Sequence, residues 1–218
     1  MNSMMYKADP REAARYLGYR KTEPDERVAA MIDQCIGEVQ AAAVPKSVYE
    51  RFPLTISGGD TIRIGSLHLQ SRSLLKNLAG CGEAYLFAAT LGIAVDTLIK
   101  RTALLDSAKG LVMQAAAAAV IEAYCDEVNA RLRQAAENEN LFLRPRYSPG
   151  YGDLSLDCQR DFLNLLKAQK NIGLTVTDSG LMVPVKSVTA LIGISPIRTA
   201  WHTQGCEACP KTDCAYRR

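Results

Sequence analysis

The sequence lacks charge of one dominant sign. Among its 218 residues, 26 Lys and Arg stand against 23 Asp and Glu, a formal net charge of +3. No long Lys/Arg cluster is present either, which excludes the electrostatic footprint of a nucleic-acid binder. Long apolar runs are also missing. The longest, Ala115 to Ala123, is interrupted by Glu122 and falls short of the roughly 20 residues a membrane helix needs. Met1 to Arg27 is polar, so no secretory signal is expected and no membrane is implied. Internal repeats, low-complexity segments and interdomain linkers are absent. What is present is an ordinary globular balance, 48% hydrophobic and 22% charged, with ample material for a core. The seven cysteines are an odd number in a chain without a secretory signal, which points to a reducing cytoplasm and to thiols that are unpaired or metal-bound.

Periodicity and capping residues predict the following order of elements. Asp9-Pro10-Arg11-Glu12 reads as an N-cap with proline in the first turn of a helix that continues to Gly18. A second helix is predicted from Pro24 to Ala43, with Val28, Met31, Ile32, Cys35, Ile36 and Val39 on one stripe. From Val48 to Leu69 the period changes to two, around Gly58-Gly59-Asp60, which predicts strands joined by a hairpin or short loop. Ser71 to Leu78 reads as a short helix closed by Gly80, and Ala84 to Gly92 as a strand. Helices are predicted over Ala94 to Thr102, Asp106 to Asn138 and Leu156 to Ile172, followed by strands at Leu174 to Thr177 and Val185 to Ile194. Regular β-α alternation is too sparse for a doubly wound sheet. The fold class expected is therefore α+β, a small, mainly antiparallel sheet flanked by helices. Residues 1–200 are expected to form a single domain, with 201–218 as a cysteine-rich tail.

Ten residues concentrate polar chemistry: Arg144-Pro145-Arg146-Tyr147-Ser148-Pro149-Gly150-Tyr151-Gly152-Asp153. Pro149 fixes one backbone angle and Gly150 accepts a positive φ, so Ser148 to Tyr151 reads as a tight turn. Such a turn holds Arg146 and Tyr151 in fixed relation, suited to an anionic or flat ligand. The same residues equally describe a surface turn with a salt-bridged arginine.

The carboxyl terminus carries a second cluster. Cys206, Cys209 and Cys214 are spaced Cys-x2-Cys-x4-Cys, and two thiols separated by two residues can bind one metal. A closed zinc site needs a fourth ligand, for which His202, Cys158 or an exogenous group are candidates. An iron–sulfur cluster is the other metal reading, and unliganded thiols or a disulfide are the alternatives.

Arg146-Tyr147-Ser148-Pro149-Gly150-Tyr151 resembles the Arg-x-x-Pro-Gly-Tyr signature of the activation domain of cobalamin-dependent methionine synthase. Ile172 to Thr189, with Leu174, Thr175, Ser179, Met182, Pro184, Ser187 and Val188, is similar to the block that follows it in that family. Ile121 through Arg133 is similar to the preceding helix, which carries a glutamate in the ligand site. Ala14 to Tyr19 and Ala88 to Gly92 are like short, freestanding members of the group. The resemblance implies S-adenosylmethionine held next to a corrinoid. It implies cofactor binding at Glu122, Arg146, Ser148, Gly150 and Tyr151, and at the strand position of Ile192. Arg146 would pair with the ligand carboxylate, Glu122 with its amino or sulfonium side, and Tyr151 would offer a ring face or hydroxyl.

The sequence also departs from the family. An aromatic pair expected after the Ser-Val-Ser strand is Ile192-Gly193 here, and the family's acidic residue near the amino terminus has no assigned counterpart. The Asp-x-His-x-x-Gly signature of a corrinoid carrier is missing, so cobalamin is expected on a partner, a corrinoid-binding protein or shortened methionine synthase. What the resemblance implies is a reactivation subunit, an accessory to methyltransferase activity in methionine biosynthesis, with flavodoxin or ferredoxin as electron donor. Two further readings stand beside it: an iron–sulfur reductive activator of a corrinoid methyltransferase, and a non-enzymatic, metal-stapled docking module.

Overall fold

The structure, a computed structural model, describes residues 6–20, 22–57 and 60–198. The helices begin where side chains can satisfy their orphan amides. Helix α1, Pro10–Tyr16, starts at Asp9, whose carboxylate accepts from the Arg11 amide at 2.9 Å. Helix α2, Glu26–Ala42, starts at Asp25, which accepts from Val28 N at 2.8 Å. Of the predicted stripe, Ile32, Cys35, Ile36 and Val39 are buried.

Strand β1, Lys46–Ser57, turns back into β2, Thr61–Ile64, with Ile56 opposite Ile62 and Ser57 opposite Thr61. The hairpin falls where the glycine pair predicts it. Strand β3, Leu67–Gln70, then pairs antiparallel with β2. Helix α3, Arg72–Asn77, is capped by Ser71, and β4 is Glu83–Thr90. Helix α4 runs Ile93–Leu105 and α5 Ser107–Asn138, with only Asp106 between them. That one residue ends α4 and caps α5 by accepting from Lys109 N at 2.9 Å. The remaining strands are β5, Phe142–Leu143; β6, Thr175–Val176; β7, Met182–Val183; and β8, Ser187–Ser195. One six-stranded sheet has the order β3-β2-β1-β4-β8-β5, and β6-β7 form a separate ribbon. The fold is α+β with a mainly antiparallel sheet flanked by helices, as the sequence predicts. Among the described residues no helix is long and apolar enough to cross a membrane.

Three local expectations change. The helix predicted from Leu156 to Ile172 is a 3-10 turn at Leu156–Cys158, helix α6 at Gln159–Leu165 and helix α7 at Ala168–Ile172. Lys167 takes φ 49°, a left-handed conformation that no α-helix interior accommodates, and it separates α6 from α7. The strand predicted from Val185 begins two residues later. Pro184 has no amide to donate, and the Val185 amide is taken by the buried Asp96 carboxylate at 2.7 Å. Finally, β1 alternates in sequence but only Leu54 is buried, while Tyr49 and Ile56 are exposed.

The chain divides into two compact units, each assembled from three stretches. The first takes in residues up to Val48, Ala88–Ala130 and Lys167–Val188. Its core is helical: α1 and α4 pack on α2, and α5 contributes Met113, Ala116, Ala117, Val120 and Cys125. The second takes in Tyr49–Phe87, Arg131–Leu166 and the chain from Thr189 on. Its core is built from Ile62, Ile64, Leu74, Leu78, Leu86, Phe87, Phe162, Leu191 and Ile192.

Candidate functional site: the Arg144 to Asp153 segment

In the second unit, residues 144–153 run beside β8 and then fold into a turn. Arg144 N donates to Gly193 O at 2.8 Å, and Tyr147 exchanges both backbone bonds with Leu191, at 2.9 and 2.8 Å. These bonds at Arg144 and Tyr147 set the register of the half-buried Arg146 between them. The turn follows at once. Tyr151 N donates to Ser148 O at 3.1 Å, closing Ser148-Pro149-Gly150-Tyr151, and Gly150 takes φ 90°. Proline at the second position and positive φ at the third make this a type II turn. The loop closes on itself through Gly150 N to Leu154 O at 2.8 Å and Leu154 N to Tyr151 O at 3.0 Å.

Side chains fill the segment unevenly. Pro149 and Leu154 are buried, whereas Tyr151 is 56% exposed. The Tyr147 and Tyr151 rings meet edge to face, 6.2 Å between centroids, and Tyr147 Oη donates to Tyr151 O at 3.1 Å. Burial pushes the Tyr147 phenol above its ordinary range. The arrangement places a half-buried guanidinium and an exposed ring on a backbone that is held in place, residue types suited to a carboxylate and a cationic or flat group.

Ile192 lies on β8 between Leu191 and Gly193, and its side chain is fully buried. At the next position space is closed. A Cβ on Gly193 would stand 2.7 Å from Cys81 Sγ, 2.7 Å from Leu78 Cδ2 and 3.0 Å from Arg144 Cγ. An aromatic residue has no room there as the neighbours stand.

Distant residues that sequence reasoning did not connect to the segment support it. Arg144 is buried and donates through Nη2 to Ala79 O at 2.6 Å. Asn77 Nδ2 reaches Pro145 O at 3.5 Å. Asp153 accepts from Ser71 Oγ at 2.5 Å, Arg72 N at 2.8 Å and Ser73 N at 3.1 Å. The Ser71 hydroxyl and these amides hold the Asp153 carboxyl well below the usual carboxylate range. These contacts span 65 to 82 residues of sequence, and no spacing rule reaches that far. The one local signal is the short step from the Pro-Gly turn to a carboxylate.

The other predicted residues are placed as follows. Glu122 is half-buried on α5, in the first unit. Ser148 and Gly150 are the first and third residues of the turn. Cys206, Cys209, Cys214 and His202 lie outside the described residues. Cys158, the alternative fourth ligand, donates its thiol to Ser155 O at 3.1 Å, and burial pushes it up to about 11. Among the described residues no group of three or more His, Cys, Asp or Glu is placed to hold a metal.

A family model described as vitamin B12 dependent methionine synthase, activation domain, matches residues 81–217, and the chain belongs to that family. Among solved structures it is similar to the MetH reactivation domain bound to AdoHcy. That match has 19% identity and a TM-score of 0.62, over 89% of this chain and 78% of that one. At that identity the likeness speaks to the fold. No curated protein matches the chain.

Proposed function

We propose that this chain is a reactivation subunit that binds S-adenosylmethionine at the Arg146 turn and serves a corrinoid carried on another protein. The observation that carries the reading is the type II turn itself, with Gly150 at φ 90° and the backbone beside Arg146 paired to β8. Membership of the activation-domain family supports it. So does the fold shared with a structure that holds AdoHcy, the demethylated form of the same ligand.

Arg146 meets the ligand carboxylate with its planar fork, an interaction that fixes orientation as well as charge. Tyr151 offers a ring face to the sulfonium. When docked, the corrinoid supplies the methyl acceptor. The work of this chain is to hold the donor in line, a contribution of positioning that calls for no general base. Calorimetric titration of S-adenosylmethionine into the wild type and into Arg146→Ala tests the reading. Saturable one-to-one binding is expected in the first and loss of measurable binding in the second; a wild type that does not bind overturns it.

The spacing of Cys206, Cys209 and Cys214 favours a second reading, in which the tail holds zinc or an iron–sulfur centre and the subunit takes part in electron delivery. Anaerobically purified protein then carries stoichiometric zinc, or iron with acid-labile sulfide. A chain free of both sinks it.

A further inference from the structure

We infer that Asp153 is a positioning residue for the ligand-binding turn, its carboxylate fixing the turn's far end to the start of α3. The inference rests on the reading of that turn as the S-adenosylmethionine site. The segment is tied to the rest of its unit on both sides. On the near side Arg144 and Tyr147 are bonded to β8 through the backbone. Beyond Tyr147, among the described residues, the backbone bonds of the turn join it to itself, Ser148 to Tyr151 and Gly150 and Tyr151 to Leu154. Asp153 carries this loop to a separate element, the start of α3, where the Tyr147 hydroxyl also faces Ser71 and Ser73.

Both carboxylate oxygens are used there. Oδ1 accepts from Ser71 Oγ and Ser73 N, and Oδ2 accepts from Arg72 N. Ser71 is itself committed, because its Oγ accepts from Leu74 N at 3.0 Å while donating to Asp153. The donor set is therefore pre-oriented toward an anion at this spot. The approach is tight as well. Gly152 takes φ 55°, and a Cβ on it would lie 2.5 Å from Tyr147 Oη and 2.9 Å from Ser73 Cβ. Only a residue without a side chain lets Asp153 come this close. With Tyr147 fixed on one side and Asp153 on the other, the intervening turn has its two ends defined.

The competing account is that Asp153 merely caps α3 and matters for stability alone. Amide hydrogen exchange separates the two when read peptide by peptide on the wild type, Asp153→Ala and Asp153→Asn, alongside S-adenosylmethionine calorimetry. Positioning predicts that Asp153→Ala speeds exchange over residues 148–151 about tenfold and weakens S-adenosylmethionine about tenfold. Exchange across the β2–β3 pair should stay as in the wild type. Asparagine keeps one acceptor and loses the charge, so Asp153→Asn falls between on both readouts, and it carries the test if the alanine variant does not fold. Unaltered exchange over 148–151 in a folded variant overturns the inference. So does faster exchange with unaltered affinity. A wild type that binds no S-adenosylmethionine falls instead on the reading of the site, and the exchange data still decide whether Asp153 holds the turn.

Discussion

Two bends of this chain both depend on glycine, for opposite reasons. At the Ser148–Tyr151 turn the requirement is angular: Gly150 sits at φ 90°, and its nearest neighbour is the half-exposed side chain of Leu156. At the α4–α5 hairpin of the first unit the requirement is spatial. A Cβ on Gly110 would lie 2.6 Å from Ala103 Cα and 2.7 Å from Ala103 Cβ, while the backbone is ordinary helix. The hairpin is closely packed at Gly110 yet leaves Leu104, Leu105 and Leu111 exposed. The turn is fixed by angles and a carboxylate anchor and presents a guanidinium and a ring. One bend orients polar chemistry and the other packs two helix backbones together.

Substitutions sharpen that contrast. The largest effect is expected at Gly110→Ala, where main-chain atoms cannot yield: overpacking should cost roughly 1–3 kcal/mol in spite of alanine's better helix propensity, read as a lower midpoint in denaturant. Gly150→Ala should cost less, about 1–2 kcal/mol, because the penalty is the left-handed backbone and Leu156 can move aside. It should also weaken S-adenosylmethionine binding, a loss Gly110→Ala does not share at temperatures where both are folded. Equal effects of the two on binding would break the comparison. Smallest of all is Leu104→Gln at the exposed tip, expected within roughly 0.5 kcal/mol of the wild type by thermal melting.

Much of the fold was legible because its signals are local. Asp9 and Ser71 mark helix starts and Gly58-Gly59 the bend between β1 and β2, whereas α4 runs on to Leu105, three residues past its predicted end, and leaves Asp106 alone between the helices. The Pro149-Gly150 pair encodes the turn at the candidate site, because φ preferences belong to single residues. The parts that were not legible depend on distant partners. Nothing near Lys167 in sequence announces a left-handed residue between two helices. The closure of position 193 depends on Leu78, Cys81 and Arg144, and the Asp153 anchor on Ser71 to Ser73. Likewise β1 carries a strand's alternation, yet what lies against each face decides burial, and only Leu54 ends inside.

Three of the four cysteines among the described residues share one property. Cys35 and Cys125 are fully buried, and burial pushes the thiols of Cys35, Cys81 and Cys158 upward, Cys158 to about 11. The thiolate is the reactive form, so near neutral pH these sulfurs are slow toward alkylating reagents. The folded protein is thus its own protecting group. A brief exposure to iodoacetamide at pH 7 followed by peptide mapping should leave Cys35, Cys81 and Cys158 largely unmodified, and rapid labelling of any of them would show that the fold does not shield it.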